Sequence, residues 1–134
     1  MPAGGARYPA SKESVSGRMH YLKMAGKEVF KNAVVAMQTA AEEALRKCNL
    51  TIQDIQCVIP HQANIRILEA LADRLGAPMD KVYVNLDRYG NVSAASVAIA
   101  LDEAARAGRF QRGDLILLVV FGSGLTWAAA VIQW

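Results

Sequence analysis

Two short segments carry residues able to do chemistry together. One is Pro60-His61-Gln62-Ala63-Asn64; the other is Tyr89-Gly90-Asn91-Val92-Ser93-Ala94-Ala95-Ser96. They supply one imidazole and one carboxamide, each where an apolar strand gives way to a helix. Corners of that kind project side chains into the crevice at the strand ends of a parallel α/β sheet. A neutral imidazole N–H and an asparagine N–H can jointly hold a developing oxyanion. An activated nucleophile is what the pair lacks. Cys48 closes an apolar helix stripe and Cys57 lies inside a strand, so both read as small core residues. The spacing therefore predicts half of an active site.

The elements around these corners follow from periodicity. Residues 1–18, rich in Gly, Pro, Ser and Ala, read as a loop or linker, and 19–134 as one domain. A short strand is expected over Met19–Lys23. A long helix follows over Gly26–Cys48, with Phe30, Val34, Met37, Ala41, Leu45 and Cys48 on one stripe and Asn49 as its stop. Next come a strand at Gln56–Pro60 and a helix at Gln62–Leu75 that buries Ile65, Leu68, Ala72 and Leu75 and ends at Gly76. A strand is predicted at Lys81–Leu86, and a helix at Ser93–Ala107 closed by Gly108. The first turns of that helix are small or apolar nearly all round, which predicts burial rather than exposure. Strands at Leu115–Phe121 and Leu125–Ile132 flank the turn Gly122-Ser123-Gly124. The order β-α-β-α-β-α-β-β predicts a three-layer α/β/α module whose sheet is mostly parallel, with an antiparallel pair at its C-terminal end.

Composition narrows the function classes. The 134 residues are 53% apolar and 20% charged, which excludes a disordered chain. The net charge is +3, and no dense basic stripe interleaved with aromatics points to nucleic acid. Apolar runs such as Leu115–Phe121 are too short to span a bilayer, and Met1–Gly17 has no apolar core of the signal-peptide kind, so a cytoplasmic location and no membrane contact are expected. Two cysteines make neither a disulfide framework nor a metal-ligand spacing.

His61-Gln62-Ala63-Asn64, Leu86-Asp87-Arg88-Tyr89-Gly90-Asn91-Val92-Ser93-Ala94-Ala95-Ser96 and Phe121-Gly122-Ser123-Gly124-Leu125-Thr126-Trp127 occur in this order and spacing. Together they resemble the C-terminal half of β-ketoacyl-acyl carrier protein synthase III, a thiolase-fold condensing enzyme. The resemblance covers nearly everything from Met19 to Trp134. It implies an acyltransferase that condenses an acyl-coenzyme A primer with malonyl-acyl carrier protein to start fatty acid synthesis. It further implies a Cys-His-Asn triad in which His61 and Asn91 supply the second and third members, and a backbone N–H of Ser123 facing the second oxyanion. The nucleophilic cysteine belongs to an N-terminal half that this sequence does not contain, so the chain alone is expected to be inactive.

Other roles come only from that resemblance. Asn64, Gly26, Phe121 and Met24 match positions near the coenzyme A arm and the acyl pocket. Lys31, Arg66 and Arg74 match a basic surface where an acidic carrier protein would dock. The intact enzyme would be a homodimer with no metal and no redox cofactor, acyl-coenzyme A being a substrate. The alternatives are a related thiolase-fold condensing enzyme of secondary metabolism and a non-catalytic module that binds a carrier protein.

Overall fold

The alternation of inward-facing residues along two strands decides the layering. In the computed structural model, which describes residues 2–134, strand β1 (Cys57–Pro60) is buried along its whole length. Val58 points to one face of the sheet, where it meets Leu117 and Val119 of strand β2 (Leu115–Gly122). Cys57 and Ile59 point to the other and meet Ile116. The strands run parallel with Cys57 opposite Ile116 and Pro60 opposite Val119. Strand β3 (Thr126–Gln133) adds to the far side of β2, antiparallel, so the sheet order is β1-β2-β3. The parallel strands followed by an antiparallel pair match the sequence-based expectation.

Helices fill both faces. After a five-residue helix α1 (Lys12–Ser16) comes the long helix α2 (Gly26–Lys47), whose Ala33, Val34, Met37, Ala41 and Leu45 recur every three or four residues and are buried. It stops where Asn49 turns left-handed (φ 55°) and the N–H of Leu50 bonds back to the carbonyl of Leu45 at 2.9 Å. Helix α3 (Ile65–Leu75) packs beside it through Leu68 and Leu71, and ends on Gly76 at φ 65°. These two form the first layer. Helix α5 (Ala95–Arg106) covers the opposite face with Ala100 and Ala104, joined there by Phe110. Leu68, Ile116 and Leu117 have no exposed surface, and each such aliphatic side chain contributes about 1.5–3 kcal/mol to the folded state. The result is the expected α/β/α half-module of the thiolase type.

Several expectations need correction. Residues 19–21 form turn and bend and residues 22–23 irregular coil rather than a strand. Residues 1–18 are not simply loop, since α1 lies within them and Ala3 and Ser14 are buried. The strand at Lys81–Leu86 is reduced to a single parallel bridge between Val58 and Val82. It is flanked by a 3₁₀ turn at Met79–Lys81 and by a short helix, α4 (Leu86–Tyr89), that the periodicity did not suggest. Phe30, Cys48 and Ile65, expected on buried stripes, are exposed near the ends of α2 and α3. Helix α5 begins at Ala95 rather than Ser93, and Ala94, Ala95 and Ala98 face outward. The expected all-round burial of that helix is absent in this chain. Among the described residues no helix is long and apolar enough to cross a membrane.

Candidate functional site

The parallel register brings the chemical segments to one end of the sheet. β1 ends at Pro60 opposite Val119, and the N–H of His61 donates to the carbonyl of Val119 at 2.8 Å. His61 therefore leaves the carboxyl end of β1 at the level where β2 runs on toward Gly122. The half-buried imidazole has Nδ1 2.6 Å from Oγ of Ser96, which is buried in the second residue of α5. Loss of solvent lowers the His61 pKa below its ordinary range, so the ring is neutral at physiological pH.

Asn91 is connected to His61 through a series of hydrogen bonds. Gly90 sits at φ 64°, ψ −159°, a backbone region that only glycine occupies easily. Asn91 then accepts the N–H of Ser93 on its side-chain oxygen at 3.0 Å, an Asx turn that supports the left-handed Ser93 (φ 55°). The carbonyl of Ser93 accepts the N–H of Ser96 at 3.1 Å. His61, Ser96, Ser93 and Asn91 are thus linked contact by contact. With Oδ1 occupied, the Asn91 amide keeps its N–H donors for something else, and the residue is exposed.

Gln62 does work that sequence reasoning missed. Its buried amide donates to the carbonyls of Pro60 (2.9 Å) and Tyr83 (3.0 Å) and accepts the N–H of Asn85 (3.0 Å). Asn85, also buried, donates to Glu103 of α5 at 2.7 Å. Glu103 accepts Tyr89 Oη at 2.7 Å and pairs with Arg88 at 2.9 Å. Hydrogen bonds from Asn85 and Tyr89 hold the Glu103 carboxyl below the usual range, so it stays ionised. The segment that presents Asn91 is therefore fastened to α5 on one side and to the His61 corner on the other. The signal available in the sequence was the lone polar residues Gln62, Asn85 and Ser96 at otherwise apolar or small positions.

The remaining predicted residues sit as follows. Ser123 is exposed in the turn after β2, and its φ is not positive, so a serine fits there without strain. Gly124 does need to be glycine: at φ 147° a Cβ would meet Thr126 Cγ2 at 2.9 Å. Asn64 caps α3, accepting the N–H of Arg66 at 2.9 Å. Gly26 opens α2 with open space around it, and Met24 beside it is exposed. Phe121 is half-buried and packs on the α2/α3 layer. Lys31, Arg66 and Arg74 are exposed, and Arg74 ties α3 to α2 through Gln38 at 2.9 Å. Cys57 is buried, which pushes its thiol pKa up and makes it a poor nucleophile, and Cys48 is exposed at the end of α2.

Comparison with known proteins agrees with this fold. The family model for the 3-oxoacyl-[acyl-carrier-protein (ACP)] synthase III C-terminal domain matches residues 45–134. The chain is 60% identical over its full length to the beta-ketoacyl-[acyl-carrier-protein] synthase III of Caldanaerobacter subterraneus, and 54% identical to that of Clostridioides difficile. It spans about 40% of the length of these relatives. Among solved structures, it superposes on the synthase III of Thermus thermophilus with a TM-score of 0.84 and 50% identity, covering all of this chain and 39% of that one. A second 3-oxoacyl-(acyl-carrier-protein) synthase III superposes with a TM-score of 0.90 at 29% identity, over 99% of this chain and 42% of that one.

Proposed function

Since this chain belongs to the 3-oxoacyl-[acyl-carrier-protein] synthase III family through its C-terminal half, we propose that it supplies the oxyanion-stabilising part of a decarboxylating condensing enzyme. A cysteine thiolate in an N-terminal half would attack the thioester of an acyl-coenzyme A, forming an acyl-enzyme and releasing coenzyme A. Loss of carbon dioxide from malonyl-acyl carrier protein leaves an enolate, whose oxygen accepts hydrogen bonds from His61 Nε2–H and Asn91 Nδ2–H. The enolate carbon then attacks the acyl-enzyme carbonyl, and the backbone N–H of Ser123 faces the tetrahedral oxyanion. Collapse of that intermediate breaks the C–S bond, freeing the cysteine thiolate and leaving the 3-oxoacyl product on the carrier protein. Each such donor is worth about 3–4 kcal/mol of transition-state stabilisation. No metal or redox cofactor enters this scheme.

The bonded path from His61 through Ser96 and Ser93 to Asn91 is the observation that carries the proposal. Among the described residues, His61 Nε2 and the Asn91 amide nitrogen have no hydrogen-bond partner, which leaves both able to donate in this reading. Met24, Gly26, Asn64 and Phe121 would line the path of the coenzyme A arm and the acyl chain. Lys31, Arg66 and Arg74 would steer an acidic carrier protein, an effect on encounter rate more than on affinity. The working protein would be a cytoplasmic homodimer of complete subunits, and the 134-residue chain alone would be inactive.

The test is malonyl-acyl carrier protein decarboxylation by the complete enzyme carrying Asn91→Ala. The rate is expected to fall about 10²–10³-fold. An unchanged rate would remove Asn91 from the mechanism. Decarboxylation by the 134-residue chain on its own would overturn the requirement for a second half.

A further inference from the structure

A hydroxyl carries a single proton, and where the Ser96 proton goes decides which nitrogen of His61 holds hydrogen. Ser96 Oγ lies 2.6 Å from His61 Nδ1 and 3.4 Å from the backbone nitrogen of Gln62, whose N–H can only donate to it. Among the described residues no carbonyl lies within hydrogen-bond distance to take the Ser96 proton. The proton therefore points at Nδ1, which accepts it, and the ring hydrogen is placed on Nε2. The bond is sheltered, since Ser96 is 1% exposed, and Gln62 beside it is equally buried and fully bonded. The His61 backbone is held by its N–H bond to Val119, and turning the ring to offer the other nitrogen would break the 2.6 Å contact.

We infer that Ser96 is a positioning residue that fixes His61 as the Nε2–H tautomer and so makes its outward nitrogen a donor rather than a base. Its consequence for catalysis rests on the proposed function. An enolate oxygen needs a donor already in place, and the opposite tautomer would present a lone pair to it. A histidine neutral at physiological pH makes that choice decisive, since an imidazolium would donate from both nitrogens regardless of Ser96.

The experiment has two parts whose failures are separate. In the 134-residue chain labelled with ¹⁵N-histidine, one-bond N–H couplings at neutral pH report which nitrogen of each ring is protonated. His20→Gln identifies the His61 signals. Hydrogen on Nε2 of His61 is expected; hydrogen on Nδ1 overturns the inference in the native protein without any change at Ser96. In Ser96→Ala, which removes one atom from a buried site, the His61 ring is expected to become a mixture of tautomers. An unaltered Nε2–H signal would show that something else fixes the ring.

In the complete enzyme, Ser96→Ala is expected to lower kcat for decarboxylation roughly ten-fold with KM little changed, the worth of one hydrogen bond. Ser96→Thr, which keeps the hydroxyl, is expected to restore most of it. A rate that ignores both substitutions while the tautomer responds would count against the oxyanion role of His61, not against the assignment of its proton.

Discussion

The molecule holds two serine–histidine pairs, and their hydroxyls have different choices of partner. In the N-terminal segment Ser14 Oγ lies 2.7 Å from His20 Nε2; at the end of the sheet Ser96 Oγ lies 2.6 Å from His61 Nδ1. The distances barely differ. What differs is the company of each hydroxyl. Ser14 Oγ accepts the Ser11 N–H at 2.8 Å in the capping box of α1 and has the Ser11 carbonyl at 3.0 Å as a second acceptor for its proton. Either partner can then supply the hydrogen between them, and the His20 ring closes a local turn. Ser96 has no such carbonyl, and its proton is free to dictate the state of His61. A short serine–histidine contact therefore says little until the hydroxyl's other partners are counted.

That contrast can be broken in three ways. The largest effect is expected in the complete enzyme: His61→Ala lowers the decarboxylation rate about 10²–10³-fold, while His20→Ala leaves the chemical step within a few-fold, both read from single-turnover kinetics. Comparable losses from both would erase the distinction. A smaller effect is expected from Ser14→Ala, which removes the reciprocal hydrogen bond of the capping box, worth about 1 kcal/mol, and speeds amide hydrogen exchange in residues 11–20 by roughly five-fold. The His61 ring signals are expected to stay where they are; movement there would mean that the two pairs are coupled.

The smallest effect is the pH dependence. Burial lowers the pKa of folded His61, so the unfolded chain binds that proton more readily. The contribution of neutral His61 to stability is whole above about pH 6.5, the ordinary imidazole value, and is lost as pH falls below it toward the folded pKa. Denaturant midpoints at pH 7.5 and 5.5 should therefore fall further for the native chain than for His61→Gln. Glu103 and Asp54, whose carboxyls are held low by hydrogen bonds, lose their contributions only at more acid pH and do not confuse this window. Equal declines in the two proteins would mean that the ring gains no protection from burial.

The strongly periodic elements were legible in the sequence because each has one partner face. The buried positions of α2 and the apolar run of β2 say where they lie without knowledge of anything distant. His61 stands just past β1, as the periodicity predicts, whereas Asn91 follows the short helix α4 instead of the strand expected before it. What stayed hidden depends on contacts made far along the chain. Residues 82–84 have the composition of a strand, and Tyr83 N does bond to Val58 O at 2.9 Å. The next two rungs, however, are taken by the Gln62 side chain, which binds Tyr83 O and Asn85 N in place of a neighbouring backbone. No local pattern announces that a glutamine will replace a ladder. The partnership of Ser96 with His61, 35 residues apart, is of the same kind. Exposure of α5 was misread because its small residues suit a covered face, and this chain carries nothing to cover it.

Strand β3 has a consequence of its own. It is the last strand of the sheet, and its eight residues, Thr126-Trp127-Ala128-Ala129-Ala130-Val131-Ile132-Gln133, include no charge and no proline. Trp127, Ala128 and Ala130 are exposed, and one side of the backbone has no neighbour among the described residues. Natural sheets usually blunt such an edge with lysine, proline or a bulge, because uncharged edges of this length template cross-β stacking. For this chain the order of events after synthesis therefore matters as much as the final fold. An edge left open while ribosomes crowd similar chains together invites fibrils, and whatever lies along β3 first protects the chain from its own copies.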